Sequence, residues 1–218
     1  LLVDPSSAKE SAYQLYNKVH GYWSTLDKET RPDLYLFGLS LGAYGAETSI
    51  NLMTIIKNPI QGGLFVGAPF TSTIAPMLTR YRNEGSPQWL PIIQDSSMVR
   101  FSAQENSLKN ESWIWGPVRV VYIQYASDPI VFFSADLYRK EPDWIKGVRG
   151  YDVSKDFQWY PLITFFQVLF DIPMAEKMPR GSSHNYSAGS YIDGWVEVTA
   201  PNNWTTAHRN RLKDIFIK

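Results

Sequence analysis

Apolar positions in this chain follow two rhythms, one helical and one of short unbroken runs, and these alternate along much of its length. Tyr13, Tyr16, His20 and Trp23 recur at helical spacing behind Ser7-Ala8-Lys9-Glu10, which has the form of a capping box, so a helix is expected over about 6–27. Arg31-Pro32-Asp33 breaks that pattern. Leu34-Tyr35-Leu36-Phe37 is then a continuous apolar run of the kind a fully buried parallel strand carries. Helical spacing returns over 41–56 and stops near Asn58-Pro59. Gly63-Leu64-Phe65-Val66 reads as a second buried strand, 118–124 as a third and 98–102 as a further short one. Helices are expected again over roughly 191–198 and 205–217. Strands alternating with helices predict an α/β fold, a parallel sheet with helices on both faces.

No internal repeat or linker divides the chain, so 1–218 reads as one domain. The stretch 129–181 is rich in aromatic residues and carries Pro142, Pro161, Pro173 and Pro179. It reads as a cap-like excursion over the sheet. Within it Phe157, Trp159, Leu162, Phe165, Phe166 and Leu169 either roof an acyl pocket or pack a buried helix. An aromatic content of 15% favours large apolar contacts, in a deep pocket or on a partner surface. Lys and Arg balance Asp and Glu at 21 each, which removes any general attraction to nucleic acid. The absence of cysteine excludes disulfides and thiolate chemistry. His20, His184 and His208 lie far apart in sequence, so neither a metal site nor a cofactor is expected. The longest apolar run, 159–170, is interrupted by Pro161, Thr164 and Gln167 and falls short of the ~20 residues needed to span a bilayer.

The chemistry points to one place. Gly38-Leu39-Ser40-Leu41-Gly42 follows the first apolar strand directly and opens a helical pattern, which is the strand–turn–helix setting of a nucleophile elbow. In that setting Ser40 is lifted above the sheet edge, and Gly38 and Gly42 are expected where a Cβ would strike the turned backbone. Ala43 and Gly45 let the new helix pack closely. The backbone N–H of Leu41 is the natural first oxyanion donor.

A serine hydroxyl needs a base, and the base an orienting acid. In this fold the partners follow in the order Ser, Asp or Glu, His. His20 precedes the serine on an apolar helix stripe and reads as a packing residue. His208 lies in a polar helix. His184, in the small-residue loop Gly181-Ser182-Ser183-His184-Asn185-Tyr186, is left as the base. Asp128 is the expected acid because Tyr125-Ala126-Ser127-Asp128-Pro129 leaves the strand at 118–124, although an Asp-Pro pair also serves simply as a turn former. Asp136, Asp143, Asp152, Asp156 and Asp171 follow no convincing strand.

These residues resemble a bacterial family of α/β-hydrolase catalytic domains that follow an N-terminal multi-helix membrane region. The likeness runs through 31–42, Gly85-Ser86-Pro87-Gln88-Trp89-Leu90-Pro91, 122–129, Arg149-Gly150-Tyr151-Asp152-Val153 and His184-Asn185-Tyr186. The resemblance implies a serine hydrolase with Ser40, Asp128 and His184 as its triad, acting on a small-molecule or lipid ester. It also implies membrane association of a longer protein of which this chain is a soluble domain. Leu39 stands where the family usually has an acidic residue, and Ser182 where it tends to have a first histidine. An α/β-hydrolase normally places several strands ahead of the elbow, one of which leads to the second oxyanion donor. None is visible here, so the sheet is expected to lack its N-terminal strands. The alternative is a pared-down sheet completed by a neighbouring chain or by residues 1–4.

Three functions fit the pattern: hydrolysis of a carboxylic ester, acyl transfer to another alcohol by the same triad, and a hydrolase fold kept as a binding module.

Overall fold

The computed structural model describes residues 5–217; the 1–4 segment invoked above lies outside the described residues. Its centre is a parallel sheet of four strands, β1 (Tyr35–Leu39), β2 (Gly62–Val66), β3 (Val99–Ser102) and β4 (Arg119–Ile123), in the order β1-β2-β4-β3. The register sets Leu39 beside Val66 and Val66 beside Ile123, so β1, β2 and β4 end level at one edge of the sheet. β1 has no second neighbour among the described residues.

Among the described residues eight α-helices surround the sheet: α1 (Ser6–Trp23), α2 (Leu41–Ser49), α3 (Leu52–Lys57), α4 (Ile74–Arg80), α5 (Pro129–Phe132), α6 (Ile163–Asp171), α7 (Ala188–Thr199) and α8 (Thr206–Ile217). Strand side chains alternate between faces. Phe65, Phe101 and Tyr122 pack on one face with Ala43 and Ala46 of α2 and Ala75 of α4. Leu64, Val66, Val121 and Ile123 pack on the other with Val198 of α7. Both faces are covered, which is why every residue of β2 is buried and why its sequence reads as a continuous apolar run. Among the described residues no helix is long and apolar enough to cross a membrane.

Three local expectations need correction. Ser7 does not cap α1. The helix starts a residue earlier behind Pro5, which has no side-chain donor or acceptor, and Glu10 instead accepts a hydrogen bond from Gln14 at 2.7 Å. α1 also stops at Trp23 rather than 27, because the indole N–H donates to the Pro32 carbonyl at 2.6 Å and Arg31 stacks 3.6 Å above the ring, folding the chain back. The helical pattern over 41–56 is two helices. Ile50 is extended, and the Asn51 side chain accepts from the Met53 N–H at 2.8 Å and starts α3 afresh.

The stretch 129–181 is built into the body. Phe132, Leu137, Trp144, Ile145 and Val168 share one core cluster with Leu64 and Val121 of the sheet. Its aromatic stripe divides: Phe157, Trp159 and Phe165 pack against that core, whereas Leu162 and Phe166 are exposed. His20 is buried and donates from Nε2 to the Asn58 carbonyl, 2.9 Å away. His208 is exposed.

Candidate active site

Ser40 joins β1 to α2 with φ 55° and ψ −121°, a backbone conformation that costs a residue with a Cβ about 1–3 kcal/mol. Surrounding contacts hold it there. Its N–H donates to the Val66 carbonyl at 2.8 Å, and its carbonyl accepts from the Ala43 and Tyr44 N–H groups at 2.9 and 3.2 Å. A Cβ on Gly38 would lie 2.3 Å from the Gly42 carbonyl oxygen, so only glycine fits the tight reversal. The matching expectation for Gly42 is wrong: a Cβ there meets nothing within 4 Å, because the helix turns that position outward. Gly45 does allow close packing, since its Cβ would stand 2.9 Å from Ala12 Cβ on α1. Leu41 is the first residue of α2, so its N–H has no acceptor within the helix and is available beside the serine.

The structure brings Asp128 and His184 together. Asp128 is fully buried on the loop leaving β4. One carboxylate oxygen, Oδ1, accepts from the Ile130 N–H at 2.8 Å, which caps α5; the other, Oδ2, lies 2.6 Å from His184 Nδ1. The Asp-Pro pair therefore forms the turn and also orients the imidazole. A carboxylate can only accept, so Nδ1 carries the proton and Nε2 is left as a lone pair. Nε2 is buried and has no hydrogen-bond partner.

Ser40 and His184 both lie against the end of β2. Ser40 is bonded to Val66, and the next residue, Gly67, has φ 55° and lies against the imidazole; a Cβ there would be 2.6 Å from His184 Cε1. Gly67 thus makes room for the histidine beside the serine's own neighbour. The serine–histidine hydrogen bond itself is open: His184 Nε2 is buried without a partner among the described residues. Such links are often long before substrate arrives.

Sequence reasoning passed over four supporting residues. Tyr186 donates its hydroxyl to Asp128 Oδ2 at 2.6 Å, and burial next to that carboxylate pushes the phenol well above its usual range. Tyr186 belongs to the His184-Asn185-Tyr186 stretch, but nothing in its spacing assigns the tyrosine a partner. Ser127, just before the acid, accepts from the Ser183 N–H, just before the histidine, at 2.8 Å. Ser127 in turn donates to Asp152, which also accepts from Gln104 at 2.5 Å. Asp152, set aside as an acid, thereby braces the loops that carry Asp128 and His184.

The fourth is Glu47 on α2, seven residues past the serine and 1% exposed. Burial raises its carboxyl from 4.5 to about 7, offset in part by Tyr122, Ser72 and the first N–H groups of α4. These groups face the carboxyl without closing a hydrogen bond on either oxygen. Among the described residues no cluster of acidic and histidine side chains is placed to hold a metal ion.

A parallel sheet wrapped by helices, with a strained serine at the carboxyl end of one strand and an acid–histidine pair reached from two further loops, has the architecture of an α/β-hydrolase. Sequence comparison agrees: a model of the alpha/beta-hydrolase family matches residues 1–212, and the chain belongs to that family. Comparisons with curated proteins and with solved structures gave no match.

Proposed function

We propose that the protein is a serine hydrolase that cleaves a carboxylic ester through an acyl-enzyme, with Ser40 as nucleophile, His184 as base and Asp128 as the orienting acid. The observation that carries this reading is the 2.6 Å contact between Asp128 and His184 Nδ1, which leaves Nε2 buried and free next to the elbow. Rotation of the Ser40 side chain brings its hydroxyl to Nε2, which takes the proton as Oγ attacks the ester carbonyl. The oxyanion of the tetrahedral intermediate accepts the Leu41 N–H. Collapse expels the alcohol, which leaves with the proton from Nε2. Water then attacks the acyl-enzyme by the same path, giving the acid and restoring Ser40. Asp128 stabilises the imidazolium in both halves, and Tyr186 and Ile130 hold the carboxylate still while it does so.

A fluorophosphonate probe tests the assignment. The wild type should form a phosphonyl adduct on Ser40, located by mass spectrometry, and should hydrolyse p-nitrophenyl butyrate. Ser40→Ala should do neither, and His184→Ala should lose at least about a hundredfold in rate. Labelling that persists in Ser40→Ala refutes the reading.

A further inference from the structure

A cavity of about 420 Å³ opens between the loop that leaves β2 and the loop that leaves β4. Its wall starts at Ala68, the residue after the glycine that touches His184, and consecutive Cα atoms are only about 3.8 Å apart. Its far side is Val131 and Phe132, three and four residues beyond Asp128. The cavity therefore borders the catalytic loops from the side of α4.

Its chemistry is not that of a plain acyl tunnel. Phe70 and Phe132 give it apolar walls, but Arg80 and Arg82 stand on the same lining. Arg82 is fully engaged: it donates to the Ser86 and Thr79 carbonyls, both at 2.9 Å, and pairs with Asp143 at 3.1 Å. Arg80, the last residue of α4, has no hydrogen bond and no ion pair among the described residues. Arg80 is exposed, so one positive charge stands at the solvent side of the cavity without a protein counter-charge among the described residues.

Gln88 adds a second unmet demand. Its Oε1 is buried with no donor, while the neighbouring Gln124 spends its amide N–H groups on the Gln88 and Trp89 carbonyls. A neutral hydrocarbon chain in this space would leave Gln88 Oε1 unsatisfied and the exposed Arg80 charge answered only by water. Sites with unpaired polar groups discriminate strongly against ligands that cannot pair them.

We propose that this cavity receives a carboxylate or phosphate carried by the ester substrate, with Arg80 as its charge partner. An adjacent hydroxyl or N–H of the substrate donates to Gln88 Oε1. The proposal rests on the esterase reading above and narrows it to anionic esters.

The test is competition. Hydrolysis of the neutral p-nitrophenyl butyrate is followed in the presence of glutarate, inorganic phosphate or, as a control for ionic strength, chloride. In the wild type one or both polyvalent anions should inhibit competitively and chloride should not. The stronger of the two identifies the group as carboxylate or phosphate. The inhibition constant should rise about tenfold in Arg80→Gln and further in Arg80→Glu, as expected for loss of a charge-assisted hydrogen bond. Neutral-ester turnover with no competition, or with competition equal in all three proteins, overturns the proposal and leaves the esterase reading standing. If no ester is turned over and Ser40 takes no fluorophosphonate, it is the esterase reading that fails. Calorimetric titration of the same two anions into wild type and Arg80→Glu then decides the cavity by itself, binding lost in the variant supporting it and no binding in either overturning it.

Discussion

Replacing Glu47 by glutamine should stabilise the protein, and by an amount that depends on pH in a calculable way. The carboxyl is 1% exposed and makes no hydrogen bond, and burial raises its proton affinity from a pKa of 4.5 to about 7. Because the folded state holds this proton more tightly than the unfolded one, folding is favoured at low pH. The contribution of this carboxyl is full below the unfolded value, falls as pH rises past 4.5, and is lost by the time pH has passed the folded value near 7. At about 1.4 kcal/mol for each tenfold change in proton affinity, the loss amounts to roughly 3 kcal/mol. Glutamine keeps the shape and carries no charge at any pH. Urea unfolding of wild type and Glu47→Gln from about pH 4.5 to 8 should therefore show the variant gaining steadily on the wild type, with equal m-values and a final advantage of about 3 kcal/mol. For a chain of this size that corresponds to roughly 10 °C in melting temperature at the alkaline end. An advantage that does not vary with pH, or a wild type that gains on the variant as pH rises, would refute the reasoning.

The elbow makes two opposite predictions for its glycines. Gly38→Ala should destabilise by several kcal/mol or prevent folding, because its Cβ has backbone atoms at 2.3 and 2.4 Å. Gly42→Ala should fold as well as the wild type, gaining up to about 1 kcal/mol in thermal or urea melts, since the added methyl meets nothing and alanine suits a helix better. Tyr186→Phe removes one of the donors to Asp128 Oδ2 and should cost about 2 kcal/mol in unfolding free energy, with kcat for p-nitrophenyl butyrate lowered and KM little changed. A variant with wild-type stability and kcat would show that the tyrosine does not hold the acid.

The backbone around Ser40 was legible because its causes are local. The apolar run over 34–37, Gly38 and the helical spacing that follows state, within a dozen residues, that a strand turns sharply into a helix. The run also suggests a fully buried strand, whereas β1 lies at the edge of the described sheet with Phe37 and Leu39 exposed. The strand at 118–124 and the Asp-Pro loop after it were legible for the same reason. Helix ends were less so: Asn51 restarting α3 and Trp23 folding onto Pro32 and Arg31 depend on side-chain hydrogen bonds and stacking that periodicity does not register.

The pairing of acid with histidine is of another kind. Asp128 and His184 are 56 residues apart and meet because α7, just after the histidine, packs on β4 and on β2 beside it, an arrangement no stretch of sequence announces. The same arrangement puts Gly67 against the imidazole, Tyr186 on the carboxylate oxygen that faces His184, and Asp152 against Ser127 in the loop that carries the acid. Tertiary packing also buries Glu47, an unremarkable helix residue by sequence, between α2, β4 and the start of α4. Sequence by itself determined the class of fold, the elbow and a short choice of partners, because those follow from hydrophobic period and turn chemistry. Which partners touch, which carboxyl is left without a hydrogen bond, and which arginine is left without a counter-charge were decided by tertiary structure. Contact energies and desolvation act between groups that the chain separates and only the packed sheet brings together.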